Sequence, residues 1–218
     1  MEAREMRYAK TLMVMVALLL VALWGVQADA AGQGKSKSSR IPAPVPQTGQ
    51  SICSDANNNP MECDGTTGQD GDYQAGVPWP DPRFTDRGDG TVKDNLTGLI
   101  WLRNANCFGE ETWFNALSVC ETLASPTCGL TDGSVEGDWR LPNLKELQSL
   151  LDFGQEGPAL PPGHPFVGGI WTAGDNYWSS TTYLPHNDQA WYVELYNGVT
   201  DAYGKVNIDL IWPVRGGN

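Results

Sequence analysis

Gly137-Asp138-Trp139-Arg140-Leu141-Pro142-Asn143-Leu144-Lys145-Glu146-Leu147-Gln148-Ser149-Leu150-Leu151 joins a turn, a short extended segment and a helix start, and the rest of the chain is read outward from it. Pro142 biases Leu141 toward an extended backbone. Asn143 is a favourable helix cap, and Glu146 three residues on can reach back to complete a capping box. Leu144, Leu147, Leu150 and Leu151 recur at three- and four-residue spacing, so the helix predicted here buries one face. Trp139 and Leu141 belong to the core. Arg140 between them is expected to act as a structural pin, through an ion pair or a carbonyl clamp with a tryptophan contact, rather than as a ligand group.

Upstream, the first thirty residues carry Arg4, Arg7 and Lys10, an apolar run from Leu12 to Val26, and small residues around Ala28 and Ala30. This is the pattern of a secretory signal peptide over residues 1–30. The competing reading is an uncleaved anchor, for which the run is short against the roughly 20 residues of a span; the small-residue sites favour cleavage. A mature chain that is secreted, periplasmic or displayed at the cell surface is expected, not an integral membrane protein. The net charge of -12 survives this cut unchanged, because Glu2, Glu5 and Asp29 leave with the three cations. A surface so acidic disfavours nucleic acid and sulfated glycan.

Residues 31–50 mix Gly, Ser and spaced prolines and are read as a flexible linker. Residues 51–78 are too poor in apolar groups for a core of their own, and Cys53 and Cys63 bracket a turn there, predicting a disulfide-stapled extension. Residues 79–218 are the globular domain. In it, Cys120 lies on the apolar stripe of a helix expected from Thr112 to Ala124, which favours a bond between Cys107 and Cys128 with Cys120 buried and free. Cys120 with Cys128 is the alternative. Thr91–Asp94 and Leu99–Leu102 read as strands, as do Tyr177–Tyr183, Trp191–Tyr196 before the Asn197-Gly198 turn, and Leu210–Arg215, where Pro213 marks an edge or a bulge. The Pro/Gly-rich stretch 155–176 reads as a long functional loop.

With these pieces in order the chain resembles the family called domain of unknown function 1566, or the Lcl carboxy-terminal domain family. The resemblance is carried by Pro46-Gln47-Thr48-Gly49-Gln50, Phe84-Thr85-Asp86 with Gly88-Asp89-Gly90-Thr91-Val92, Asp94-Asn95-Leu96-Thr97-Gly98-Leu99-Ile100-Trp101, Asp138-Trp139-Arg140-Leu141-Pro142-Asn143, Tyr177-Trp178-Ser179-Ser180-Thr181 and Val214-Arg215. It implies an α+β, C-type lectin-like fold related to formylglycine-generating-enzyme domains, with two helices packed on a mixed, mainly antiparallel sheet. It also implies a bacterial, exported protein. The family's namesake resembles an adhesin that binds sulfated glycans; this chain differs in lacking a collagen-like repeat and in its acidity.

Catalytic groupings are poorly supported. No cysteine follows Cys128, as formylglycine-generating chemistry would need, and Ser179 or Ser180 with His186 and Asp188 lacks a nucleophile-elbow context. No metal site is expected. Calcium is the one cofactor with any sequence support, at Asp86 with Asp89, at Asp175 with Asp188, or in the loop from Asp55, and turn chemistry explains the first more simply. The expected function is a non-catalytic binding module for a glycan or a cell-surface protein, with adhesion as its setting. Its candidate surface is Trp171, Asp175, Asn176, His186, Asn187, Asp188, Tyr192, Glu194, Tyr196 and Tyr203, aromatic rings with amide and acid groups between them. The alternative is an assembly subunit of a surface complex; an enzyme ranks third. Cys53, Cys63, Cys107, Cys128, Trp139, Arg140, Asn143 and Glu146 are assigned structural roles.

Overall fold

A computed structural model describes residues 45–216. The signal-peptide reading and the linker up to residue 44 lie outside the described residues. In chain order the elements are β1 (Cys53–Ser54), β2 (Pro60–Met61), α1 (Asp70–Tyr73), β3 (Phe84–Asp86), β4 (Thr91–Asp94), β5 (Ile100–Leu102), β6 (Glu110–Thr112), α2 (Trp113–Glu121), a 3-10 turn at Thr127–Gly129, α3 (Leu144–Gln148), β7 (Asn176–Thr182), β8 (Gln189–Glu194), β9 (Thr200–Gly204), β10 (Ile208–Leu210) and β11 (Val214–Arg215). The architecture is α+β.

Two sheets, rather than the single one expected, share the strands of the globular domain. Five strands run in the order β6-β10-β7-β8-β9, antiparallel except where β10 lies parallel to β7; four antiparallel strands run β11-β5-β4-β3. Pro213 is the reason for the division. The segment expected as one strand, Leu210–Arg215, leaves the larger sheet after Leu210 and joins the smaller at Val214, because proline donates no ladder bond and breaks the pairing. Trp212 sits fully buried at this crossover, its Nε1 donating to the Leu102 carbonyl at 2.7 Å.

The larger sheet is covered on both faces. Alternation along β7 sends Tyr177 to one side and Trp178 to the other. Tyr177 joins a core with Trp101, Trp139, Leu147, Leu150, Val193 and Trp212, while Trp178 joins Trp113, Ala116, Cys120, Leu141, Ala190 and Ile211 beneath α2. The face of β8 expected to be open is therefore partly roofed by a helix, and Tyr192 packs against that second core. Arg83 and Asp94 form a buried bidentate pair, 2.8 and 3.0 Å, and Arg83 Nη2 also donates to the Ser149 carbonyl, tying the small sheet to the end of α3.

At the landmark the capping box forms: Asn143 Oδ1 accepts from Glu146 N at 3.0 Å and Glu146 Oε2 from Asn143 N at 2.8 Å. The helix is shorter than the leucine spacing predicts, since Ser149 and Leu150 follow as a turn with Leu151 just beyond, yet Leu147, Leu150 and Leu151 are all buried. Arg140 donates to both oxygens of Glu146, at 2.7 and 2.6 Å, and to the Gly216 carbonyl at 3.1 Å. The cation over Trp139 is Arg215, 5.2 Å from the ring, and not Arg140 as expected.

Cys53–Cys63 and Cys107–Cys128 are disulfide-bonded, with Cα separations of 5.5 and 5.8 Å. Cys120 is buried and free, its thiol pushed up to about 12 by burial. The linker reading stops short of residue 50. Pro46 bridges Val77, Trp79 Nε1 donates to the Gln47 carbonyl at 3.0 Å, and Phe153 N donates to the Thr48 carbonyl at 2.8 Å.

Candidate functional site

The registers of β7, β8 and β9 decide which polar groups meet. Asn176 pairs with Glu194, Trp178 with Tyr192, Tyr192 with Asp201 and Ala190 with Tyr203, so these side chains share the α2 side of the sheet. Asp209 is brought beside Asn176 by the parallel β10–β7 pairing, and Asn176 Nδ2 donates to its Oδ1 at 3.3 Å. Where α2 ends its cover, the sheet thus continues as a polar field of Asn176, Tyr192, Glu194, Asp201, Tyr203 and Asp209. The aromatic part is ordered: Tyr203, 44% exposed, stacks over buried Trp178 at 6.4 Å and meets Tyr192 edge-on at 6.4 Å.

Electrostatics on this face disfavour anions. Asp209 is only 7% exposed, and its Oδ2 has no hydrogen-bond partner. Burial pushes its carboxyl up to about 7, against the Asn176 hydrogen bond and with help from Glu110. Burial likewise raises the Tyr192 phenol, and Asp201, Asp209 and Glu194 add to the effect. Glu194 Oε1 accepts from Gly174 N at 3.0 Å, which holds the carboxylate over the sheet. An incoming hydroxyl meets acceptors here in excess of donors.

Four of the ten candidates named from sequence gather on this face: Asn176, Tyr192, Glu194 and Tyr203. Asp175 lies one residue before, taking the Thr172 hydroxyl. The others are elsewhere. Trp171 is half-buried in the main aromatic core, 5.9 Å from Tyr177 and 5.8 Å from Trp212, because the 155–176 stretch is stitched into the interior by buried Ala159, Leu160 and Phe166 and by Ala159 N donating to the Leu195 carbonyl. It is thus not the free recognition loop its length and composition predicted. His186, Asn187 and Asp188 are exposed on the β7–β8 turn, where the Asn187 and Asp188 carbonyls serve Lys205. Tyr196 stands at the β8–β9 turn, its carbonyl accepting from Gly157 N.

Sequence reasoning missed Asp201 and Asp209. Asp201 was findable, since it alternates in phase with Tyr203. Asp209 is a carboxylate between Ile208 and Leu210, an anomaly in an apolar strand.

The groupings weighed for chemistry are occupied by local structure. The buried Ser179 hydroxyl donates to the Trp191 carbonyl at 2.7 Å. Asp55 accepts from Asn57 N and Asn59 N, Asp86 from Gly88 N, and Asp89 from the Thr91 amide and hydroxyl, all within their own turns. Among the described residues, one set of three metal-capable side chains has ligand atoms within 4.8 Å of one another: Cys53, Cys63 and Asp72, of which the cysteines are bonded together. No described helix is long and apolar enough to cross a membrane.

Residues 90–215, more than half of the chain, match the family described as the Lcl C-terminal domain. A search of curated proteins finds no match. The matched span runs from the β3–β4 turn to β11 and contains every residue of the polar sheet face.

Proposed function

The chain belongs to the Lcl C-terminal domain family, and from that footing we propose that it is an exported, non-catalytic binding module that recognises a neutral carbohydrate on the face of β7, β8 and β9. The observation that carries this reading is the ordered set of Tyr203 and Tyr192 rings beside Asn176, Glu194 and Asp201 on one side of the sheet. A sugar offers an apolar C–H face and a ring of hydroxyls. The first suits an exposed tyrosine ring; the second suits carboxylate acceptors and an amide that both donates and accepts. Carboxylates at this face repel sulfate and phosphate, which disfavours an anionic glycan. Two disulfides accord with export to an oxidising compartment.

The test is a glycan array on the mature chain, run with calcium and with chelator. Neutral glycans are expected to be retained in both. Tyr203→Ala and Glu194→Gln, both near the surface, should each weaken retention about tenfold, the equivalent of ~1.4 kcal/mol, with the melting temperature kept. Retention of no neutral glycan, or retention indifferent to both substitutions, overturns the reading.

One feature favours assembly as the second reading. Phe114 and Val206 are 65% and 85% exposed beside Lys205, apolar surface that a protein partner would bury. A defined oligomer by light scattering, dispersed by Phe114→Ser, together with an empty array, would establish it instead.

A further inference from the structure

On the outward side of the four-stranded sheet Arg215 pairs in register with Ile100. A cleft of about 570 Å³ opens there, lined by Arg87, Ile100, Asp132, Asp138 and the backbone of Gly137 and Gly216. One of its charge pairs is closed. Arg215 Nη2 is 2.7 Å from Asp132 Oδ2, and Asp132 Oδ1 takes the amide and hydroxyl of Ser134, so that carboxylate is consumed and its side chain is fully buried. With the guanidinium also resting on Trp139, the Arg215–Asp132 pair is framework.

Arg87 and Asp138 keep capacity to spare, Arg87 being held only by a long ion pair with Asp89. The Arg87 side chain is 44% exposed, makes no side-chain hydrogen bond among the described residues, and has its nearest carboxylate, Asp89, at 3.8 Å. Asp138 is exposed; its Oδ2 accepts from Val135 N at 2.9 Å and its Oδ1 from nothing described. The two line one cleft with opposite charge and do not pair with each other. Exposed charges of opposite sign that can meet usually gain a little by doing so, and these two are held apart on separate turns, one before β4 and one before Trp139. Two lining positions of the cleft carry no side chain. Gly137 and Gly216 both have positive φ, +88° and +82°, and Arg140 fixes Gly216 through its carbonyl.

We propose that this cleft binds a zwitterion, its carboxylate on Arg87 and its ammonium on Asp138, of the class of a short peptide with both ends free. The guanidinium fork matches a planar carboxylate, and the carboxylate of Asp138 takes an ammonium as acceptor. Charge balance decides against a polyanion: Arg87 and Arg215 are outnumbered by Asp89, Asp132 and Asp138, so the cleft has no surplus positive charge to hold one. Ile100 gives the aliphatic part of the ligand an apolar wall. The site is distinct from the sheet face around Tyr203 and stands or falls without it.

The experiment is an NMR titration of the whole mature chain with triglycine, N-acetyl-triglycine and triglycine amide. Triglycine should produce saturable shifts at Gly137 and Gly216, and each blocked peptide, lacking one charge, should bind at least about tenfold more weakly. Arg87→Gln should reduce the affinity for triglycine to that for its amide, and Asp138→Asn to that for the acetylated form. Both side chains are exposed, and an unchanged melting temperature verifies that the variants fold. Absence of a saturable shift, equal binding of all three peptides, or an affinity unmoved by Arg87→Gln overturns the proposal.

Discussion

Asp209 shows how one side chain can set a pH dependence. In the fold its carboxyl is pushed up to about 7, whereas in the unfolded chain it keeps an ordinary value near 3.8. Below about pH 4 both states hold the proton and the residue contributes no penalty. As pH rises toward 7 the unfolded chain releases the proton while the fold retains it, so stability falls across that window and levels off above it. Asp209→Asn removes the titration. It should match the parent at pH 4 and exceed it at pH 8 by on the order of 2 kcal/mol, read from urea unfolding across pH. Equal stability of the two proteins at pH 8 would mean that the orphaned Oδ2 is solvated rather than buried. The residue's place in an apolar strand was visible from sequence, whereas its lack of a partner depends on what β7 and β6 bring alongside.

At the scale of elements, α3 is short enough that it stands by its ends. Glu146 serves two purposes there, closing the capping box with Asn143 and receiving both nitrogens of Arg140. The Glu146 hydrogen bonds raise the Arg140 pKa, and burial opposes them without prevailing. Asn143→Ala should cost about 1 kcal/mol and Glu146→Gln about 1–2 kcal/mol in thermal unfolding. Because the Asn143 side chain on the Glu146 amide and the Glu146 carboxylate on the Asn143 amide close one reciprocal cap, the double variant should cost less than the sum, which a double-mutant cycle measures. Strict additivity would separate the cap from the ion pair. The cap was legible in the sequence since its donors and acceptors are three residues apart. The helix's early end was not, because Leu150 in the turn and Leu151 just beyond it remain buried and so satisfy the same spacing.

For the whole molecule, the two disulfides have different expected reach. Cys107–Cys128 closes 21 residues and packs against the main core, while Cys53–Cys63 closes 10 residues in the amino-terminal extension. Replacing Cys107 and Cys128 together by Ser should lower global stability by about 3 kcal/mol. The same replacement at Cys53 and Cys63 should instead speed amide exchange locally between residues 50 and 75, which hydrogen exchange by mass spectrometry resolves. Equal global loss from the two would show that the extension and the sheets unfold as one unit.

The sequence by itself determined what depends on near neighbours: the capped start of α3, the turns around Asp55, Asp86 and Asp89, the strand phases of β7 and β8, and the loop-closing bond of Cys53 with Cys63. It also carried the family, through short motifs whose order survives along the chain. Tertiary structure alone decided how strands are shared between two sheets at Pro213, which tryptophans are core, and that Trp171 and Tyr196 stand away from the polar face while Asp201 and Asp209 belong to it. The reason is physical. A side chain's phase on its own strand is local, but its neighbours across the sheet are set by register between segments tens of residues apart, and pairing of β10 with β7 cannot be read from either strand alone.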